Sequence, residues 1–565
     1  MARVRQMRSI DRILARAAAV AVDRFDRLAA RPRAAALWLA AASTLVALVL
    51  AFGVLQRFPN SGDEYASVFQ ARTYAIGRLW VAAPPLPEFF ETSYVFVDNG
   101  RAFGVFPPGW PLVLAAASRL GIPEWAVNAA LGGLTIWLVF VLGRRLGGDR
   151  EGLAAALLVA VSPFFLFNAA SHFAHTSCGL FVLVGVLAAV RYAESARPAD
   201  ALTLGAAVGA AVLTRYYTGI LCAIPMAVIV ARPARRAVRA LPWIVAGGAP
   251  FAAFLLYYNH ELSGSAWRLS LSGVSLYFDH WFAPNWFLRG FDILATHLLR
   301  YVLWTPPAFI FVAIFLAAGS LRRPAAHRTG PRTIADPSHR GALALAALAL
   351  AVGMFPYTDR GGNQYGPRYY YEAFPLLAIF VVSALGARLR AGVAGPVRGR
   401  AGVPVSGGEA GPVSGGAGAP AGWSSDAAAR RLAGLLAVSL VLVVPLAAWH
   451  GYDEWRVIRE RSDVFAQVGR AGPRRAVVLL SGRVGHRRSM AATDLTRNGI
   501  TWDAAALYAL DRGPDNTRLA AACPDRTFCR YIYDRSVGKG RLEPIVWPRA
   551  DGPHHEYPAK EPPTP

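Results

Sequence analysis

The segment Asn60-Ser-Gly-Asp63-Glu64-Tyr65 sets two adjacent carboxylates at a helix start, directly after the first long apolar run. Two chemistries suit it. Ser61-Gly-Asp-Glu64 is a capping box, with Ser61 at the N-cap and Glu64 returning to its backbone N–H. In the other reading Glu64 caps while Asp63 points into a cavity, where a carboxylate can accept a proton from an attacking hydroxyl or amine. The two are compatible, because a capped helix start is a rigid mount.

Further ionisable residues stand at the ends of apolar runs. His172 and His175, in Ser171-His-Phe-Ala-His175-Thr-Ser177, are three apart and share a helix face. Three roles compete for them: contact with a phosphate, metal ligation with a loop carboxylate, or simple interface histidines. Two histidines without a third ligand do not make a metal site, so a divalent ion is left open. His175 lies deeper in its run and is the stronger candidate. Arg215 closes Leu213-Thr-Arg215, and Arg368 lies in Tyr365-Gly-Pro-Arg368-Tyr-Tyr-Tyr-Glu372-Ala-Phe-Pro375. Without chemistry, Arg368 reads as an interface arginine that snorkels and Arg215 as a topological or carboxylate-paired one. Asp359-Arg360 and Glu372 flank Arg368 and read as its pairing partners. Asn259-His260-Glu261 ends another run. Asp279-His280-Trp281 falls in an aromatic stretch with Tyr277, Phe278, Phe282, Trp286 and Phe287, which fits an interfacial belt or the floor of a sugar site.

The elements that hold these residues are membrane spans. Of 565 residues, 55% are hydrophobic and 17% charged, and the mean hydropathy is +0.34. Soluble domains carry about a quarter charged residues, and disorder needs low hydrophobicity, so both classes are excluded. The net charge of +24 does not mark a nucleic-acid binder, because the arginines sit in short clusters between apolar runs. Ala34–Leu55, preceded by nine arginines from Arg3 to Arg33, is long enough to cross a core of roughly 30 Å and reads as an anchor, not a cleaved signal. Further runs are Trp125–Leu142, Gly152–Phe167, Thr176–Arg191, Ala201–Leu213, Tyr216–Val230, Ala240–Tyr258, Tyr301–Leu321, Gly341–Tyr357, Glu372–Leu385 and Leu432–His450, giving about eleven spans. Basic clusters at Gly143-Arg144-Arg145, Arg191 to Asp200, Arg232 to Arg239, Arg322 to Arg340 and Arg388 to Arg400 fall on one side, the cytoplasmic one. Gln56–Pro108, the His172 region, Asn259–Arg300, Thr358–Tyr371 and the tail after Gly451 then face outward. The expected protein is an α-helical, multi-pass protein of a bacterial inner membrane, with a cytoplasmic N-terminus and a periplasmic C-terminus.

The domain plan follows. A basic arm, residues 1–33, precedes a membrane region over 34–390 that includes the first outer loop, 56–108. The Gly/Pro-rich stretch 391–430 reads as a flexible linker, and 431–450 is the last span. In the tail, Ala476-Val-Val-Leu-Leu480, Leu507-Tyr-Ala-Leu510 and Arg530-Tyr-Ile-Tyr533 read as strands with turn signals between them. They predict a small α/β domain over 451–550, followed by a disordered Pro-rich end, 551–565. Cys523 and Cys529 lie in this tail, and an oxidising location makes a disulfide between them plausible.

Three motifs together carry a family resemblance. They are Asp63-Glu64-Tyr65 followed by Gly77-Arg-Leu79 and Phe106-Pro-Pro-Gly-Trp-Pro111; Leu213-Thr-Arg215; and the Tyr365–Pro375 segment. In order, spacing and membrane side the set resembles the GT-C superfamily of membrane glycosyltransferases, in its protein O-mannosyltransferase-like and aminoarabinose-lipid A transferase-like groups. The resemblance covers the chain from the first span to about Leu385. It implies a polyprenyl-phosphate-linked sugar as donor, a lipid, glycan or protein as acceptor, and transfer at the outer face. It implies Asp63 as catalytic base beside Glu64. It places Tyr65, Tyr365 and Tyr369 at the substrate. Arg368, Arg215 and His175 would hold the donor phosphate, where fixed guanidiniums suit a leaving group that gains charge. The aminoarabinose group carries a lysine near the Pro-Pro element. Here Asp98-Asn-Gly-Arg101 offers Arg101 instead, a planar fork in place of a point charge.

The reading is an inverting glycosyltransferase in contact with membrane lipids and with no nucleic-acid partner. A flippase or transporter for lipid-linked sugars would also explain the apolar mass. It predicts paired half-sequences with interrupted spans, and no such pairing is found.

Overall fold

The computed structural model describes residues 25–269, 280–321, 337–361, 364–393, 425–471, 475–485 and 488–547. Most of the basic arm, most of the 391–430 linker, the terminal stretch 551–565, the arginine cluster after Leu321, and Tyr277, Phe278 and Asp279 lie outside the described residues. The chain divides into two compact units, with boundaries after Arg57, Phe106 and Tyr452.

The first unit is helical. Its helices are α1 (Pro32–Val49), α3 (Gly109–Arg119), α4 (Glu124–Gly147), α5 (Asp149–Ala160), α6 (Pro163–Ala170), α7 (His175–Ser195), α8 (Pro198–Thr214), α9 (Tyr216–Val230), α10 (Ala234–Ser263), α11 (Trp286–Trp304), α12 (Phe309–Leu321), α13 (Pro337–Met354) and α14 (Phe374–Val393), together with the first part of α15 (Ser425–Ala471). Among the described residues, six helices are long and apolar enough to cross a membrane, and two bent pairs raise the number to eight. Three further apolar helices, α8, α9 and α13, are shorter. The eleven expected runs are thus all helical, but not all are straight spans. The Tyr301–Leu321 run is corrected outright: α11 and α12 meet at 119°, because Pro306 and Pro307 follow Thr305, lack N–H donors and push the preceding residue out of helical geometry. Ser162-Pro163 breaks the 152–167 run in the same way, by 64° between α5 and α6.

Burial separates two kinds of span. In the most apolar stretch of α7, 72% is buried, against 11% in α10. Val238, Leu241, Trp243 and Val245 of α10 are exposed, a cost in water but none in hydrocarbon. The interior helix α7 is the one that begins at His175.

The second unit is built from two distant parts of the sequence. Residues 58–106 supply helix α2 (Gly62–Ala75) and a small antiparallel sheet, β1 (Val81–Ala82), β2 (Val95–Asp98) and β3 (Arg101–Gly104), in the order β1-β3-β2. Asn99-Gly100, both at positive φ, make the tight turn that aligns Asp98 with Arg101. The tail supplies the end of α15, the pair β5 (Arg483–Val484) and β6 (Met490–Ala491), and β4 (Ala476–Leu480), β7 (Ala506–Leu510), β8 (Thr527–Asp534) and β9 (Lys539–Ile545), with the short helix α16 (Asn516–Ala522). The four long strands run β7-β4-β8-β9, with β4 parallel to both neighbours. The continuous Ala-Val-Val-Leu-Leu of β4 is buried on both faces, as a central parallel strand must be. The expected α/β tail domain is present, but it does not close on itself. Phe89 and Phe90 of the first loop pack with Val477, Leu479, Leu507 and Phe528 on one face of the sheet. Thr92 Oγ1 donates to Thr496 O at 2.7 Å, and Trp502 Nε1 donates to Ala82 O at 2.9 Å. The loop 58–106, expected to go with the membrane region, completes the core of the tail domain.

The proposed disulfide is not formed. Both thiols are free, because the alternation of β8 puts Cys529 in the cluster with Val478, Leu480 and Tyr531. Cys523, at the end of α16, packs with the cluster on the opposite face.

Candidate active site

In the membrane unit, the site is a turn held by polar bonds. Between α6 and α7 the chain leaves helical geometry at Ser171–Ala174. Asn128 of α4 donates through Nδ2 to both Ser171 O and Phe173 O at 2.8 Å, and Trp110 Nε1 donates to His172 O at 2.7 Å. Trp110 belongs to the Phe106-Pro-Pro-Gly-Trp-Pro111 motif and is buried. Its neighbour Gly109 has no room for a side chain: a Cβ there would lie 2.7 Å from Thr214 Oγ1 and 2.8 Å from Leu213 O. That motif therefore braces the histidine turn and the end of α8, where Arg215 stands.

Three ionisable residues meet at this turn. His175 Nδ1 lies 3.1 Å from Glu372 Oε1, and Arg215 Nε lies 3.2 Å from the same oxygen. Arg215 Nη1 is 3.5 Å from His175 Nε2. The network assigns the proton of the imidazole to Nδ1, which donates to the carboxylate, and leaves Nε2 to accept from the guanidinium. Glu372 is fully buried and Arg215 is 21% exposed, so the arginine alone has an open side. Arg368 is buried, with its guanidinium 4.4 Å from the centre of the Phe173 ring and 5.7 Å from that of Tyr369. The flanking Tyr371 stacks on Phe165, and Tyr301 donates to Tyr370 O at 3.0 Å.

In the second unit, the expected cap is present with one change. Ser61 is the N-cap of α2, and its Oγ accepts from Glu64 N at 3.4 Å. Glu64 is buried and its Oε2 accepts from the N–H of Asn60 at 2.7 Å, one residue earlier than expected. Asp63 is half-buried, and Ser61 Oγ donates to its Oδ1. Glu64 is buried with its carboxylate on the cap, and Asp63 is the more exposed of the two carboxylates.

Other expected site residues fall differently. Tyr65 is a core residue whose hydroxyl donates to Asn498 O at 2.5 Å, and burial pushes its pKa up to about 12. Tyr365 is fully buried between Phe167 and Phe173, and its carbonyl accepts from Asn168 Nδ2 at 2.9 Å. Both rings fill core positions. Tyr369 is half-buried, against His297 and Tyr357. Arg101 lies at the β2–β3 hairpin, 5.8 Å from the centre of the Trp80 ring. His175 and Arg215 come together; Asp63, Glu64, Tyr65 and Arg101 belong to the other unit. Among the described residues no group of three or more His, Cys, Asp or Glu side chains is placed to hold a metal ion, and both nitrogens of His175 face protein partners.

Sequence reasoning paired Glu372 with Arg368, whereas the structure pairs it with His175 and Arg215. The signal was available, since a carboxylate opening an apolar run is costly and marks function by default. Arg461 and Arg497, which hold the residues just before Asp63, carried no signal among so many arginines. Arg461 Nη1 donates to Asn60 O and Oδ1 at 2.7 Å, and Arg497 Nη1 donates to Pro59 O at 2.5 Å.

Residues 106–258 match the family model described as dolichyl-phosphate-mannose-protein mannosyltransferase. A search of curated proteins by sequence finds no match. Among solved structures, the chain is similar to ArnT from Cupriavidus metallidurans bound to undecaprenyl phosphate, with 15% identity and a TM-score of 0.49, over 87% of this chain and 92% of that one. It is similar to the oligosaccharyltransferase AglB from Archaeoglobus fulgidus, with 13% identity and a TM-score of 0.44, over 79% of this chain and 62% of that one. It is similar also to the arabinofuranosyltransferase AftD from Mycobacteria, with 17% identity and a TM-score of 0.42, over 83% of this chain and 31% of that one. The chain thus carries six to eight helices long and apolar enough to cross a membrane among its described residues, and residues 106–258 are similar to the protein-mannosyltransferase family model.

Proposed function

We propose that this protein transfers a sugar from a polyprenyl-phosphate donor to a lipid, glycan or protein acceptor, with inversion, at the periplasmic face of a bacterial inner membrane. The observation that carries the reading is the family match over 106–258, a segment that includes both His175 and Arg215. Asp63 takes the proton from the attacking hydroxyl or amine. The acceptor atom forms its bond to the anomeric carbon from the side opposite the phosphate. The anomeric C–O bond breaks, and its electron pair leaves with the polyprenyl phosphate. Arg215, held by Glu372 and His175, presents its open side to that phosphate, and Arg368 adds a second guanidinium. Preorganised cations stabilise charge that develops in the transition state, because they need no reorientation as it forms. The clustering of arginines between the apolar runs supports an outward-facing Asp63, on the side where a lipid-linked donor presents its sugar.

The test uses membranes containing the full chain and labelled polyprenyl-phosphate sugars. Asp63→Asn keeps the size and removes the base, and transfer is expected to fall by ~10²–10⁴. Wild-type turnover in that variant removes Asp63 from its role. Adding EDTA to the same assay decides whether a divalent ion takes part.

A further inference from the structure

The tail segment offers a reason for its own presence. Pro59 and Asn60 immediately precede the N-cap Ser61, and their carbonyls are each met by an arginine from the tail. Arg461, on α15, is buried. Its Nη1 donates to Asn60 O and Oδ1, both at 2.7 Å, while its Nε and Nη2 donate to Arg488 O at 3.2 and 2.5 Å. Arg488 is itself pinned to α15 through Asp453 and Glu454, each at 2.8 Å. Arg497 donates to Pro59 O at 2.5 Å and to Asp494 O at 2.6 Å, and lies 4.3 Å from the centre of the Phe58 ring. The first turn of α2 is closed from another side as well. A Cβ on Gly62 would come within 2.6 Å of Asp494 Oδ1 and 2.7 Å of Ser93 Cβ.

Burying a guanidinium is costly unless its donors are used. Here one buried guanidinium, Arg461, and one half-buried, Arg497, are spent on the two carbonyls that fix where α2 begins, while the Asp63 side chain stays half-buried. We infer that Arg461 and Arg497 are positioning residues for Asp63, so that the tail acts as the clamp of the catalytic carboxylate and not as a separate acceptor module. This inference rests on the assignment of Asp63 as base. A displacement of about 1 Å at a reacting group can cost about 10²-fold in rate, which is the scale on which such a clamp acts.

A double-mutant cycle on the full chain in membranes tests it, with turnover of a labelled polyprenyl-phosphate sugar measured for wild type, Arg461→Gln, Asp63→Asn and the double variant. If Arg461 acts through Asp63, its substitution lowers kcat by about 10- to 10²-fold in the wild-type background. In the Asp63→Asn background the further loss is less than about 2-fold, because non-additivity marks residues that act as a unit. A loss of folded protein would lower both arms by the same factor. Equal losses in the two backgrounds, or no loss in either, overturn the clamp while leaving Asp63 as base. Undiminished turnover in Asp63→Asn alone overturns both readings. Should Arg461→Gln fail to accumulate, Asn60→Ala removes only the Oδ1 acceptor and runs the same cycle with the same criteria.

Discussion

Arg215 and Glu372 lie far apart in sequence, yet Nε of one stands 3.2 Å from Oε1 of the other, with His175 Nδ1 on the same oxygen at 3.1 Å. One buried carboxylate thereby fixes the orientation of a cation and the tautomer of an imidazole. The arrangement ties the start of α7, the end of α8 and the beginning of α14 to a single point. The arginine is its partly exposed member.

Glu372→Gln keeps the shape and removes the charge from this point. Breaking a buried pair by removing one partner costs about 3–5 kcal/mol, because the other charge stays uncompensated. A marked drop in the midpoint of thermal unfolding in detergent is expected, with part of the loss recovered when Arg215→Met is added. A midpoint equal to wild type would mean that the pair does not hold the turn.

Gly109→Ala puts a methyl group where Thr214 Oγ1 and Leu213 O already stand. Overpacking of this kind costs about 1–3 kcal/mol. It acts directly beside Arg215, so transfer activity per folded molecule should fall as well. Gly434, whose Cβ would meet nothing within 4 Å, supplies the control: Gly434→Ala, inside α15, should leave activity unchanged and stability the same or higher by up to about 1 kcal/mol.

Glu64→Gln separates the cap from the base. The glutamine amide oxygen can still accept from the Asn60 N–H, since Gln also serves at this position of a capping box, and the variant should retain transfer within about 10-fold of wild type. That outcome contrasts with the far larger loss expected for Asp63→Asn. Equal losses in the two variants would return Glu64 to a direct catalytic role.

Asp511 gives the second unit an acid limit. Burial raises its pKa, but this is outweighed by hydrogen bonds from Asn516 Nδ2 at 2.7 Å, Gly513 N at 3.0 Å and Arg530 Nε at 2.6 Å, and the net shift is downward. A carboxylate held lower in the folded state stabilises it above the ordinary value of about 3.9. That contribution is lost as pH falls through the folded value. Asp511→Asn should therefore be less stable than wild type near neutrality, with the difference shrinking below about pH 4. Unfolding midpoints across that range check it, and a constant difference would contradict it.

The sequence alone determined the membrane class, because eleven apolar runs and the clustering of arginines between them are properties of composition and order. It determined the capping box at Ser61–Glu64, because a cap is a local bond between near neighbours. It marked three strands of the tail, β4, β7 and β8, because apolar and aromatic runs bounded by turn residues need no distant partner to be read, whereas β5, β6 and β9 were not marked. What it left to the tertiary structure are relations between distant segments. Glu372 was visible as a carboxylate, but its partners on α7 and at the end of α8 were not. That Tyr65 and Tyr365 fill core positions was not legible either, since burial is set by what packs around a ring. That Glu64 is buried on the cap while Asp63 stays partly exposed was set by what packs around the helix start. The joining of the first loop to the tail came from Phe89 and Phe90 filling one face of a sheet whose strands lie hundreds of residues later. No local pattern records such a contact, because the free energy that selects it comes from apolar area buried only when both segments are present.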